Sequence, residues 1–202
     1  MNANDHSLAE LAAKARKTIA DSAQVKACFA ERAAPDVAQA ARLVAECLER
    51  GGKVLLCGNG GSAADAQHIA GELVGRFKLE RPAFHAVALT TDTSILTAVA
   101  NDYGFDEVFA RQVEGLGAPG DVLLGYSTSG NSANVLQAIA KAKAIGMHVV
   151  GLTDSGGGAM AQRCDVCIKA PCDDTPTVQE CHAAAGHAIC GLVEQMLCEG
   201  KG

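Results

Sequence analysis

The segment CGNGGSAADAQHIAGE, residues 57–72, places a glycine-rich turn ahead of His68 and Glu72, which lie four positions apart. On a helix this spacing puts both side chains on one face, a turn apart. A neutral imidazole and a carboxylate so placed can bind a divalent metal or act as a base–acid pair. Ala63, Ala64, Ala66, Ala70 and Gly71 leave room around them for a ligand. An exposed, weakly stabilising His–Glu pair would read the same in isolation; the position just past a strand-end loop favours chemistry. Near the other end, Gln179, Glu180, His182 and His187 share one helical stretch. Gln179 and His187 are eight apart, which is about 12 Å along a helix axis. Both could reach one ion only if Gln179 sat at a frayed helix start. His182 is offset around the helix and reads as a structural or interface histidine. His6 falls near a terminus, while His85 and His148 open apolar runs and read as strand-end residues.

A second loop, Ser127-Thr128-Ser129-Gly130-Asn131-Ser132, carries four hydroxyls in six positions directly before a helical pattern. Unpaired amides at a helix start, with adjustable hydroxyl donors beside them, suit a phosphate. A serine N-cap and turn need fewer hydroxyls than this. The first loop also matches G-x-G-x-x-A, a dinucleotide fingerprint, but an acidic residue is then expected roughly 20 positions on. Asp92 is the nearest candidate beyond the second apolar run and lies too far away. Asn101-Asp102 ends a helical pattern near Gly104, where it forms either a C-cap and turn or a grip on sugar hydroxyls.

The elements that must position these groups follow from periodicity. Leu8, Leu11, Ala15 and Ile19, then Val37, Ala41, Val44 and Leu48, recur at helical spacing. They predict two amphipathic helices, broken at Pro35 and stopped by Gly51-Gly52. Beyond them, KVLLC, HAVALT, DVLLGYS, HVVGLTD and DVCIKA alternate with helical stretches. Helices are expected from about Ser62, Thr93 and Ser132, a short one after HVVGLTD, and a long one over Thr175–Cys198. Short β-prone runs alternating with helices predict an α/β fold: a doubly wound, five-stranded parallel sheet flanked by helices. Residues 1–50 form an N-terminal helical extension, packed on that layer or used for oligomerisation, and 51–202 the main domain. Ligands of such sheets bind at the carboxyl ends of the strands, where the strand order reverses.

Bulk properties narrow the function classes. The 202 residues can bury a substantial core, and the net charge of −6 argues against nucleic acid or an acidic membrane as partner. The N-terminus lacks an apolar leader and no run reaches the length of a membrane span, so a cytoplasmic location is expected. Of nine cysteines only Cys164 and Cys167 show ligand spacing, and no second CxxC completes a zinc site. Reduced, structural thiols are expected.

Taken together, GNGGSAADAQHIAGE, TAVANDYGFDEVFARQV, GDVLLGYSTSGNSANVLQAI and VQECHAAAGH resemble the sugar isomerase (SIS) family, specifically its phosphoheptose isomerase branch. The resemblance runs in order over roughly Gly51 to Cys198, and more loosely over the leading helices. It implies an aldose–ketose isomerase converting sedoheptulose 7-phosphate to D-glycero-D-manno-heptose 7-phosphate, the first step toward activated heptose for lipopolysaccharide or capsule. It implies a cytoplasmic homotetramer with one zinc ion per active site. Carried over, Ser127, Thr128, Ser129 and Ser132 would hold phosphate, and Asn59, Gly60, Gly61, Asn101 and Asp102 would line the sugar. His68, Glu72, Gln179 and His187 would ligate zinc, with Glu72 and Gln179 also touching substrate and Glu72 and His187 transferring protons. Non-catalytic SIS regulators, which bind a replication initiator or sense a sugar phosphate, share the glycine-rich and serine loops but lack this acid–base pair.

Overall fold

The computed structural model describes residues 7–198, so His6 lies outside the described residues. Strands β1 (Val54–Cys57), β2 (Ala86–Ala88), β3 (Val122–Tyr126), β4 (His148–Thr153) and β5 (Val166–Lys169) form one sheet in the order β2-β1-β3-β4-β5. Every neighbouring pair is parallel, as expected. Strand side chains alternate between faces. Val54, Leu56, Val122, Leu124, Val150 and Leu152 therefore enter one core, while Leu55, Cys57, Leu123 and Val149 enter the other. Burial on both faces is why the central strands β1, β3 and β4 read as continuous apolar runs, while the edge strand β2 is only partly covered.

Helices α1 (Leu8–Glu49), α2 (Gly61–Val74) and α6 (Thr175–Cys198) cover the first face. Helices α3 (Thr93–Tyr103), α4 (Ala110–Leu116) and α5 (Ala133–Ile145) lie on the second. Four of these begin within a residue of the expected starts. The expected end of α3 near Gly104 is observed, whereas helix α4 and the 3-10 turn Phe105–Glu107 before it were not anticipated.

Two expectations are corrected. The leading segment is one helix of 42 residues with Pro35 inside it, started by a Ser7–Glu10 capping box. A helix-interior proline costs about 3 kcal/mol. Burial of Phe29, Val37 and Val44 against α6 and the sheet, at roughly 1.5–3 kcal/mol each, outweighs it. The exposed N-terminal half carries Leu8, Leu11 and Ile19. The short helix expected after β4 is also absent: turns fill 155–163, because Gly156-Gly157-Gly158 disfavours helix by about 1 kcal/mol per residue.

All nine cysteines are free thiols. Burial pushes Cys57, Cys164 and Cys190 up to about 12, which keeps them protonated and apolar. His182 is fully buried on α6, with Nε2 3.2 Å from the Thr153 carbonyl and its ring edge-on to Tyr126. It is a core residue, and burial lowers its pKa from 6.5 to about 4. Unfolding frees the imidazole to take up a proton between those values. Stability should therefore fall as pH drops from 6.5 to 4, by on the order of 3 kcal/mol. Urea titrations across this range should show that slope in the wild type and not in His182→Asn; an unchanged slope would contradict the assignment.

Candidate active site

The strand order reverses between β1 and β3, so their carboxyl ends frame a crevice. From the β1 end come Asn59, Gly60 and Gly61. From the β3 end comes the loop Ser127–Ser132. The two are joined by a reciprocal amide pair: Asn59 Nδ2 donates to Asn134 Oδ1 at 2.8 Å, and Asn134 Nδ2 to Asn59 Oδ1 at 2.9 Å. Asn134 was not anticipated. An asparagine in the first turn of α5, on the helix side otherwise filled by Val135, Ala138, Ile139 and Ala142, is the signal that could have revealed it.

The serine loop is internally braced. Ser127 Oγ and Ser132 Oγ are 2.9 Å apart, and the Ser132 amide donates to Ser127 Oγ at 3.3 Å. Ser132 is the N-cap of α5 yet makes no side-chain cap hydrogen bond. The first-turn amides of this 13-residue helix are thus left uncapped by protein side chains, the arrangement an anion favours. Gly130 has φ +65°, and a Cβ there would lie 2.6 Å from the Gly157 carbonyl carbon, so the β4–β5 turns press directly on this loop. Asn131 Oδ1 accepts from the Ala159 amide at 2.9 Å and fastens the contact.

His68 and Glu72 occupy successive turns of α2, with His68 Nε2 3.3 Å from Glu72 Oε1. His187 on α6 brings its Nε2 to 2.8 Å from His68 Nε2. One ligand atom from each of the three residues fits within 4.8 Å of the others. Sequence reasoning joined these residues only through the family resemblance; here α2 and α6, packed side by side, bring them together. Two imidazole nitrogens this close cannot both donate, and a carboxylate oxygen completes the set. Two imidazoles and a carboxylate are a donor set that suits zinc. The residues fit a divalent metal.

The other expected residues are placed as follows. Gln179 lies in the ordered second turn of α6, not at a frayed start, and packs against the beginning of α2. A Cβ added to Gly61 would be 2.8 Å from Gln179 Cδ. Asn101 and Asp102 fall in the exposed last turn of α3, bonded to each other at 2.8 Å, and Gly104 is the C-cap.

Two neighbours were missed. Asp65 lies one turn before His68; its Oδ2 is buried without a partner, and burial raises its pKa against the opposing pull of His68. The D-x-x-H spacing carried that signal. Phe77 stacks on His187 with ring centroids 5.5 Å apart and 24° between planes, and nothing in the local sequence marked it. A groove of 620 Å³, largely apolar and bordered by Phe29, Val37, Phe77, His187 and Leu192, opens beside the cluster between α1 and α6.

The chain is similar to known proteins over most of its length. The SIS domain family matches residues 19–154. The chain is 59% identical to the phosphoheptose isomerase of Rhodospirillum rubrum over 165 residues, which is 82% of this chain and 88% of that one. The chain belongs to the phosphoheptose isomerase family. It is an enzyme, a sugar-phosphate isomerase. The structure of phosphoheptose isomerase GmhA from Neisseria gonorrhoeae superposes with a TM-score of 0.87 at 46% identity, covering 92% of this chain and 99% of that one. A phosphoheptose isomerase from Francisella tularensis also gives 0.87, at 41% identity over 90% and 97% of the two chains. Among the described residues, no helix of this family member is long and apolar enough to cross a membrane.

Adding Zn²⁺ to metal-stripped protein at about 100 times its Kd should stabilise the fold by about 2.7 kcal/mol. Thermal unfolding would read this as a rise in Tm that His68→Gln and His187→Gln abolish. An equal rise in the variants would place the ion elsewhere.

Proposed function

We propose that the chain interconverts sedoheptulose 7-phosphate and D-glycero-D-manno-heptose 7-phosphate through an enediol, as the first step toward activated heptose for lipopolysaccharide or capsule. The carrying observation is the convergence of His68, Glu72 and His187 from two helices distant in sequence. Glu72 takes the proton from C1 of the ketose while His187 protonates O2, giving the enediol. Returning a proton to C2 and removing the one on O1 completes the aldose. His68, Glu72 and His187 would hold zinc; when bound, zinc supplies Lewis-acid polarisation of the sugar oxygens, while Gln179, seated in the ordered part of α6 beside Gly61, touches the substrate instead of the ion. Glu72 serves as ligand and as base.

Ser127, Thr128, Ser129 and Ser132 hold the phosphate beside the uncapped start of α5, a reading supported by the amides left free there. Asn59, Gly60 and Gly61 line the sugar with Asn101 and Asp102. The protein works in the cytoplasm as a homotetramer, with the exposed stripe of Leu8, Leu11 and Ile19 covered by another copy.

A coupled assay with sedoheptulose 7-phosphate tests the chemistry. Glu72→Gln and His187→Gln should each lower kcat at least ~100-fold. Ser129→Ala and Ser132→Ala should mainly raise KM, by about tenfold or more, since hydroxyl–phosphate bonds persist from ground to transition state. Wild-type turnover in Glu72→Gln would end the proposal, and a kcat loss at constant KM in the serine variants would end the phosphate assignment. For assembly, removing residues 1–20 should reduce the mass measured by light scattering; an unaltered tetramer would exclude this role for the stripe.

A further inference from the structure

Behind the site, Arg81 and Glu194 form an ion pair whose two side chains are each only 2% exposed. Buried charges are tolerated when every polar atom is paired, and here the pairing is extensive. The Glu194 carboxylate accepts from three successive amides, Phe77 and Lys78 at 2.8 Å and Leu79 at 3.0 Å, and from Arg81 Nε at 3.0 Å. The guanidinium donates onward to the Glu72 carbonyl at 2.9 Å, the Leu73 carbonyl at 2.9 Å and the Pro82 carbonyl at 3.0 Å. The carbonyls of Glu72 and Leu73 belong to the last turn of α2, where helix geometry leaves them without an intrahelical partner; the Leu73 carbonyl also accepts from the Phe84 amide at 3.1 Å. Glu194 stands two turns beyond His187 on the same side of α6.

One buried pair thus ties together the end of α2, the chain after it and α6. The product of that connection is the seat of Phe77: its amide is held by Glu194, and its ring lies flat on the His187 imidazole. An apolar contact could anchor the loop but would not fix its direction; seven directed hydrogen bonds do. We propose that Arg81, Glu194 and Phe77 are positioning residues for the reaction, holding His187 in the orientation that faces His68 and Glu72. This rests on the reading of His187 and Glu72 as the reacting groups.

Phe77→Leu keeps the apolar bulk and removes the flat face, and Phe77→Tyr restores the face. Supporting groups around a metal ligand are typically worth 10–100-fold in affinity or activity. Phe77→Leu should therefore lower kcat by about tenfold with KM within about twofold. It should weaken Zn²⁺ binding by about tenfold in competition with a chromophoric chelator, while Tm stays close to wild type. Phe77→Tyr should return both quantities to near wild type. Glu194→Gln should reproduce the loss together with a lower Tm. A Phe77→Leu enzyme with unaltered kcat and zinc affinity, measured beside an inactive His187→Gln, would overturn the positioning role and leave the catalytic reading intact. An active His187→Gln enzyme would overturn both.

Discussion

The close, parallel packing of α2 on α6 is the constraint on which the rest of the structure depends. Position 61 meets 179, position 69 meets 186, and position 68 meets 187. Contact this tight is possible because Gly186 presents no side chain; a Cβ there would fall 2.7 Å from Ile69 Cγ1. Ala66 and Ala70 keep the opposing α2 surface equally low, and both are buried in the same core. With a larger residue at 186 the helices would separate, and His187 would lose its 2.8 Å approach to His68.

The sheet gives this helix pair its location. In the order β2-β1-β3-β4-β5 the chain winds away in both directions from β1 and β3. Helix α2 leaves the β1 end toward one face, and α5 leaves the β3 end toward the other. Both helix starts therefore open on the same crevice, and the Asn59–Asn134 amide pair spans it. A ligand with an anionic end and a reactive carbonyl end matches that division, with uncapped amides on α5 and titratable side chains on α2 and α6. The polar groups of the site sit on rigid elements, and the loops around them are held by hydrogen bonds to neighbouring backbone.

The buried charges follow the same logic. Burial pushes the Glu194 carboxyl up, but three backbone amides and Arg81 overcome this and hold it below the ordinary carboxylate range. Asp65, without such partners for one of its oxygens, is raised instead. The buried Glu194 and the half-buried Asp65, on adjacent helices, thus diverge in the direction set by hydrogen-bond supply. The difference separates a group that stays ionised to hold a loop from one whose charge is poorly supported beside His68.

Much of this was legible in the residues alone. Apolar runs of four to six residues marked the five parallel strands; for β1, β3 and β4 this is because strands buried on both faces need apolar residues at every position. The i, i+4 spacing of His68 and Glu72 determined that they share a helix face, and the density of hydroxyls marked the loop at 127–132. Proline misled, because its local penalty was visible while the burial that offsets it in α1 was not. Apart from the family resemblance, only tertiary structure decided that His187 completes the cluster, 119 positions from His68. It alone decided that Asn134 closes the crevice and that Phe77 lies on His187. Those pairings depend on how two helices pack across one sheet face, and local periodicity carries no information about which distant turns will meet.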